Sequence, residues 1–172
     1  VNGGGSILSG FTIKNGSSNE HATAGGLHIT ESNIDLKNLV IEENKNASDH
    51  TRSGVSVIFS STNFINCKIQ NNDKEGVYIQ DGQSTPYFKN VLFTGHTSRA
   101  LYLKNTDVSI DSCEFINNSG GGIWLERIGS RQKSIIDKTL FSGNGDSWWG
   151  GLYISGDAKD IEINQCIFYD NY

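Results

Sequence analysis

Residues 113–125 read Cys113-Glu114-Phe115-Ile116-Asn117-Asn118-Ser119-Gly120-Gly121-Gly122-Ile123-Trp124-Leu125. Phe115 leads Asn118 by three positions, and Gly122 opens the alternation Ile123-Trp124-Leu125. Both signatures recur along the chain. Ile41, Ile69, Phe141 and Phe168 lead Asn44, Asn72, Asn144 and Asn171 by three, and Phe93 leads His96 with the polar residue changed. Alternating with them are Gly26-Leu-His-Ile, Gly54-Val-Ser-Val, Gly76-Val-Tyr-Ile, Ala100-Leu-Tyr-Leu, Gly122-Ile-Trp-Leu and Gly151-Leu-Tyr-Ile. The starts of these segments are 28, 22, 24, 22 and 29 residues apart. A repeat of roughly 20–30 residues is the mark of a solenoid.

Superposing the repeats produces apolar columns. One holds Leu27, Val55, Val77, Leu101, Ile123 and Leu152, and the next holds Ile29, Val57, Ile79, Leu103, Leu125 and Ile154. A third holds Leu36, Phe64, Phe88, Ile110, Ile136 and Ile163, and a fourth Leu39, Cys67, Val91, Cys113, Thr139 and Cys166. The spacing within a pair is two residues, the period of a strand. Each repeat is then about three short strands joined by turns rich in Gly, Asn, Asp and Ser. This predicts an all-β chain folded as a right-handed parallel β-helix of six full coils, with a partial coil at Phe11-Thr12-Ile13. Like strands of successive coils would pair about 4.8 Å apart, and inward residues would stack on their own kind. Asn44, Asn72, His96, Asn118, Asn144 and Asn171 would form a buried ladder in which each amide serves the next coil. As solvent-facing turn formers, five of six would not be expected to share one register.

Gly-Gly-Leu at 25–27 and 150–152 and Gly-Gly-Ile at 121–123 alternate with Phe115-Ile-Asn-Asn118, Phe141-Ser-Gly-Asn144 and Phe168-Tyr-Asp-Asn171. These resemble the Gly-Gly-apolar and Phe-x-x-Asn repeats of chlamydial polymorphic membrane proteins. They are similar also to the β-helix repeats of secreted bacterial surface proteins, over nearly the whole chain. The resemblance implies secretion or surface display, often with an adhesive role. The wider pectate-lyase-like superfamily implies polysaccharide chemistry. These motifs are the grammar of a scaffold, so they speak to fold more than to function.

Composition agrees with this reading. The apolar fraction is 35%, low for a globule but enough for a thin solenoid core. The 20 glycines and single proline, with no helix-forming runs, argue against helices. The net charge of −5 leaves no basic footprint for nucleic acid. Neither a leader peptide nor an apolar run of membrane length is present, so no direct membrane insertion is expected. Residues 1–172 read as a single β-helix domain cut from a longer protein, secreted or on the cell surface. Its partners would be further domains of its own chain, a polysaccharide, and a second copy in end-to-end association. Cys67, Cys113 and Cys166 fall in one inward column on alternate coils, about 9.6 Å apart. That is too far for a disulfide, so all three are expected to be reduced, buried and unreactive.

Candidate functional residues lie between the first two columns, where one side chain per coil points outward: His28, Ser56, Tyr78, Tyr102, Trp124 and Tyr153. The last four form a stripe suited to sugar rings, whose C–H faces are apolar. The stripe reads equally as a binding surface or as cross-strand packing that stabilises the sheet. Lys104 and Glu126 are expected to pair beside it. Long loops at 17–25, 45–53, 145–150 and 126–135, carrying Trp148, Trp149, Arg127 and Arg131, are placed to wall a cleft.

Catalysis finds less support. Asp81, Lys104, Glu126 and Arg127 are the acids and bases nearest the stripe. No nucleophile, base and stabiliser assemble, and surface ion pairs are the simpler reading. No catalytic residues, metal ligands or cofactor are assigned, since no Asp-rich loop of calcium-binding type supports Ca²⁺. The alternative function is a polysaccharide lyase or glycoside hydrolase whose active residues lie partly outside this segment.

Overall fold

The computed structural model describes residues 5–19, 23–47, 52–82, 85–127, 133–145, 150–156 and 160–172. Every regular element among them is a strand, and every strand pairing is parallel. Three long sheets run along the solenoid, beside a short parallel pair of Ser17–Ser18 with Lys45–Asn46. The first has seven strands, from Ser6–Ser9 to Ile161–Asn164, and the second has seven, from Thr12–Lys14 to Ile167–Tyr169. The third has six: Leu27–Thr30, Arg52–Ile58, Glu75–Gln80, Leu101–Lys104, Ile123–Arg127 and Leu152–Gly156. Six such strands bound five complete turns, one fewer than the six full coils expected. The first and last coils contribute to the first two sheets without closing a turn.

The columns stack in the expected register. Leu27, Val55, Val77, Leu101, Ile123 and Leu152 pair in succession across the third sheet. Leu36, Phe64, Phe88, Ile110, Ile136 and Ile163 do so in the first. In the second sheet Ile13, Ile41 and Ile69 continue into Phe93, Phe115, Phe141 and Phe168. The four phenylalanines stack nearly parallel, with ring centroids 4.6, 5.0 and 4.6 Å apart. Parallel pairing places identical side chains one strand spacing apart, close to the separation that offset aromatic rings favour. The core is therefore a set of vertical stacks.

The corners explain the abundance of Asn. Between the first and second sheets the chain turns on one left-handed residue per coil: Gly10, Asn38, Asn66, Asn90, Ser112, Lys138 and Gln165. Between the second sheet and the ladder it turns on Asn15, Glu43, Asn71, Gly95, Asn117, Gly143 and Asp170. That conformation costs an ordinary side chain about 1–2 kcal/mol, and Gly, Asn and Asp escape much of the cost. The first of these corners also carries an exposed amide ladder. Asn66 Nδ2 donates to Asn38 Oδ1 at 3.3 Å, and Asn90 Nδ2 donates to Asn66 Oδ1 at 3.1 Å.

The inner ladder is continuous, and it is buried from Asn44 to Asn144, whereas Asn171, expected to be buried, is half-buried in the last described coil. The Oδ1 of Asn44, Asn118, Asn144 and Asn171 accepts the main-chain N–H of Gly16, His96, Asn118 and Asn144, at 2.9–3.2 Å. Asn72 Oδ1 likewise accepts from Asn44 N–H at 3.1 Å. Each Nδ2 donates back to the carbonyl of the apolar residue one coil earlier, as Asn118 does to Phe93 at 3.2 Å and Asn144 to Phe115 at 2.7 Å. Every rung thus satisfies a buried donor and a buried acceptor of its neighbours. Gly122 admits no side chain where its coil closes on the ladder: a Cβ there would stand 2.2 Å from the Gly151 carbonyl oxygen.

The three cysteines are free thiols. Cys67 and Cys113 are buried, whereas Cys166 is only half-buried. This corrects the expectation of three equally shielded thiols: no described coil packs over the one that carries Cys166. Burial pushes the Cys113 thiol up to about 12 and raises that of Cys67 as well. Thiolate is the reactive form. Titration of the folded protein with a thiol reagent should therefore modify Cys166 alone at a measurable rate, and three equivalents should react after unfolding. Rapid reaction of Cys113 in the folded state would contradict the packing.

Candidate functional site

The third sheet brings the sequence-predicted stripe together. Tyr78 registers with Tyr102, Tyr102 with Trp124, and Trp124 with Tyr153. Lys104 and Glu126 register one alternation further along. Tyr102 and Trp124 stack nearly parallel, with centroids 4.6 Å apart and planes 13° apart. Their faces are thus turned to each other along the solenoid axis, and their edges to solvent. Tyr78 lies across Tyr102 at 73°, and Tyr153 across Trp124 at 65°.

The stripe is not uniformly exposed, which corrects the expectation of four open rings. Tyr78 is 4% exposed because the Arg52 guanidinium sits 3.8 Å over its ring. Tyr102, Trp124 and Tyr153 are half-buried. Arg99 covers two of them, 4.7 Å from the Tyr102 centroid and 4.5 Å from that of Trp124. Arginine over an aromatic face gains from the ring quadrupole while its planar group packs. Arg99 Nη2 also meets Glu75, which is fully buried, at 3.2 Å. Arg52 opens the strand of the coil before Tyr78, and Arg99 stands just ahead of the strand that carries Tyr102; the apolar columns singled out neither position.

The polar groups around the rings are engaged with one another. Among the described residues Glu126 does not pair with Lys104; instead the Tyr102 hydroxyl donates to Glu126 Oε2. That correction has a geometric cause, since Tyr102 reaches diagonally across one strand to the acid. Burial first, and the Glu126 contact second, push the Tyr102 phenol well above its usual range. Tyr78 is raised chiefly by burial, and its hydroxyl donates to Gln80 Oε1 at 2.6 Å. Trp124 Nε1 donates to Ser155 Oγ at 3.1 Å. Asp81 accepts from Gln80 at 2.9 Å and from Asn105 at 3.1 Å.

Trp148, Trp149 and Arg131 lie outside the described residues. Arg127 ends the strand Ile123–Arg127. Among the described residues no three His, Cys, Asp or Glu side chains gather as a metal site would. Asp81 and Glu126 act as hydrogen-bond acceptors for neighbouring side chains. What remains at the surface is a row of aromatic edges with amide, hydroxyl and ammonium groups beside it. Such a row can hold a ligand by hydrogen bonds and by contact with its apolar C–H groups.

Sequence comparison adds a family and no individual relative. The family model described as a right handed beta helix region matches residues 25–172. No curated protein matches the chain, and no solved structure matches it.

Proposed function

This chain belongs to the family of right-handed β-helix regions, and we propose that it is a structural or adhesive segment of a secreted or cell-surface protein that holds an extended glycan along Tyr102, Trp124 and Tyr153. The observation that carries this reading is the row of three half-buried rings in register on adjacent coils. Coils about 4.8 Å apart give the row a linear reach suited to a chain of sugars. Lys104 and Gln80, at one side of the row, supply donors for sugar hydroxyls. Tyr153 is the ring turned out of the parallel stack, so it offers the stacking contact, and Trp124 supplies an edge.

Calorimetric titration with a panel of soluble oligosaccharides tests the reading. The parent protein is expected to give saturable heats with at least one glycan. Tyr153→Ala and Trp124→Ala should each weaken that binding by about tenfold or more, as loss of a central aromatic contact does. Absence of saturable binding to every oligosaccharide at millimolar concentration would remove the glycan and leave a purely structural segment.

A further inference from the structure

One rung of the inner ladder is titratable. His96 Nδ1 accepts the Asn72 amide at 3.3 Å, and Nε2 lies 3.1 Å from the Ile69 carbonyl oxygen. Only the neutral ring with its proton on Nε2 satisfies both partners. An imidazolium carries a second proton on Nδ1, aimed at the Asn72 N–H. The ring cannot turn aside, because it is 1% exposed and packed on the Gly76 backbone. A Cβ at Gly76 would stand 2.6 Å from Nε2 and 2.9 Å from Cδ2. The His96 N–H donates to Asn118 Oδ1 at 3.2 Å, so this residue ties together the coils on both sides. Burial holds its imidazole down to about 4 from the usual 6.5.

The groups packed against the ring are mostly neutral. The strand Lys68–Gln70 presents the Ile69 carbonyl, and Asn72 and Asn118 present amides. The strand Glu75–Gln80 presents Gly76, with Glu75 next in sequence, and the segment that follows His96 carries Arg99. Glu75 and Arg99 meet each other at 3.2 Å.

We propose that His96 is an acid-sensitive latch between coils, whose protonation opens this rung and releases residues 94–100 ahead of the rest of the solenoid. That segment carries Arg99, the cover on Tyr102 and Trp124, so acid also uncovers the aromatic face. The latch belongs to the solenoid itself and stands whether or not that face binds a glycan. The opened state takes up its proton near pH 6.5 and the closed state only near 4. The closed state is therefore fully favoured above about pH 6.5, and its advantage falls by roughly tenfold per pH unit from there towards pH 4.

Hydrogen exchange read by mass spectrometry, at pH 7.5 and 5.5 and scaled for intrinsic rates, tests the latch on the parent and on His96→Asn. In the parent, amides of 94–100 and of Asn72 should lose about tenfold in protection at pH 5.5 while those of 110–116 hold. His96→Asn, which restores the residue used by the other rungs, should show no such local loss. Glu75 is present in both proteins, so its own titration cancels. An equal pH response in the two proteins overturns the latch, and so does a loss spread evenly over all coils. If His96→Asn does not fold, the imidazole ¹⁵N shifts of the parent decide. A ring neutral at pH 5.5 with its proton on Nε2 supports the latch, and a ring half-protonated near pH 6.5 overturns it.

Discussion

Phe115→Ala is expected to destabilise the protein by about 3–5 kcal/mol, the usual range for truncating a buried phenylalanine. Phe115 is fully buried and stacks on two rings, Phe93 at 4.6 Å and Phe141 at 5.0 Å. Removal opens a gap in a column whose neighbours are held by strand pairing and cannot close over it. Phe168→Ala provides the contrast. Phe168 stands in the same column and stacks on Phe141 at 4.6 Å, but it is 48% exposed and covered from one side. Its loss should be about 1 kcal/mol, on the scale of one aromatic pair. Urea unfolding followed by circular dichroism checks both variants. Equal shifts in midpoint would mean that stacking along the column does not set stability.

That contrast reflects how a solenoid is held together. Each coil touches only its neighbours, so stability is close to a sum of nearest-neighbour interfaces. An interior residue belongs to two interfaces and a terminal one to a single interface. The exposed Ile163 and Phe168 of the last described coil continue buried columns with no described coil beyond them, whereas Ile167 and Tyr169 stand on the outward face of their strand.

The fold was legible because parallel stacking writes itself into sequence as repetition. A residue inside one coil meets its counterpart in the next, so Leu101 and Ile123, or Phe88 and Ile110, answer to one environment and share one chemistry. The ladder was legible for the same reason, including His96, whose two ring nitrogens replace one amide. The exposed ladder of Asn38, Asn66 and Asn90 went unread. Its signal was present, since each stands one residue before the fourth column at Leu39, Cys67 and Val91.

The candidate site was legible only in part. Alternation placed Tyr78, Tyr102, Trp124 and Tyr153 on one outward face, and the strand register agrees. Alternation says nothing of what lies over a face. Arg52 and Arg99 reach the rings from outside the alternating segments, where loop lengths vary from coil to coil. The buried Glu75 that Arg99 meets falls at the first residue of a strand, ahead of the glycine that phases the repeat. Nor does register fix ring tilt, so a stripe expected to offer faces offers mostly edges.

Asn118→Leu is expected to be nearly as damaging as Phe115→Ala, although it adds apolar volume to a buried site. Asn118 accepts from the His96 N–H, donates to the Phe93 carbonyl at 3.2 Å, and donates to Asn144 Oδ1 at 2.8 Å. Leucine can do none of these. The buried His96 N–H would lose its acceptor, at about 1–3 kcal/mol, and the Phe93 carbonyl and Asn144 Oδ1 would each lose one donor. The sum, about 2–5 kcal/mol after relaxation, should lower the melting temperature by roughly 10 °C for a chain of this size. Asn66→Ala separates the ladder from the corner. Asn66 is exposed and left-handed, so its replacement should cost only about 1 kcal/mol of backbone strain, its amide partners being free to turn to water. If Asn118→Leu melts no lower than Asn66→Ala, the inner amides are corner residues like the outer ones, and the continuous ladder does not hold the coils in register.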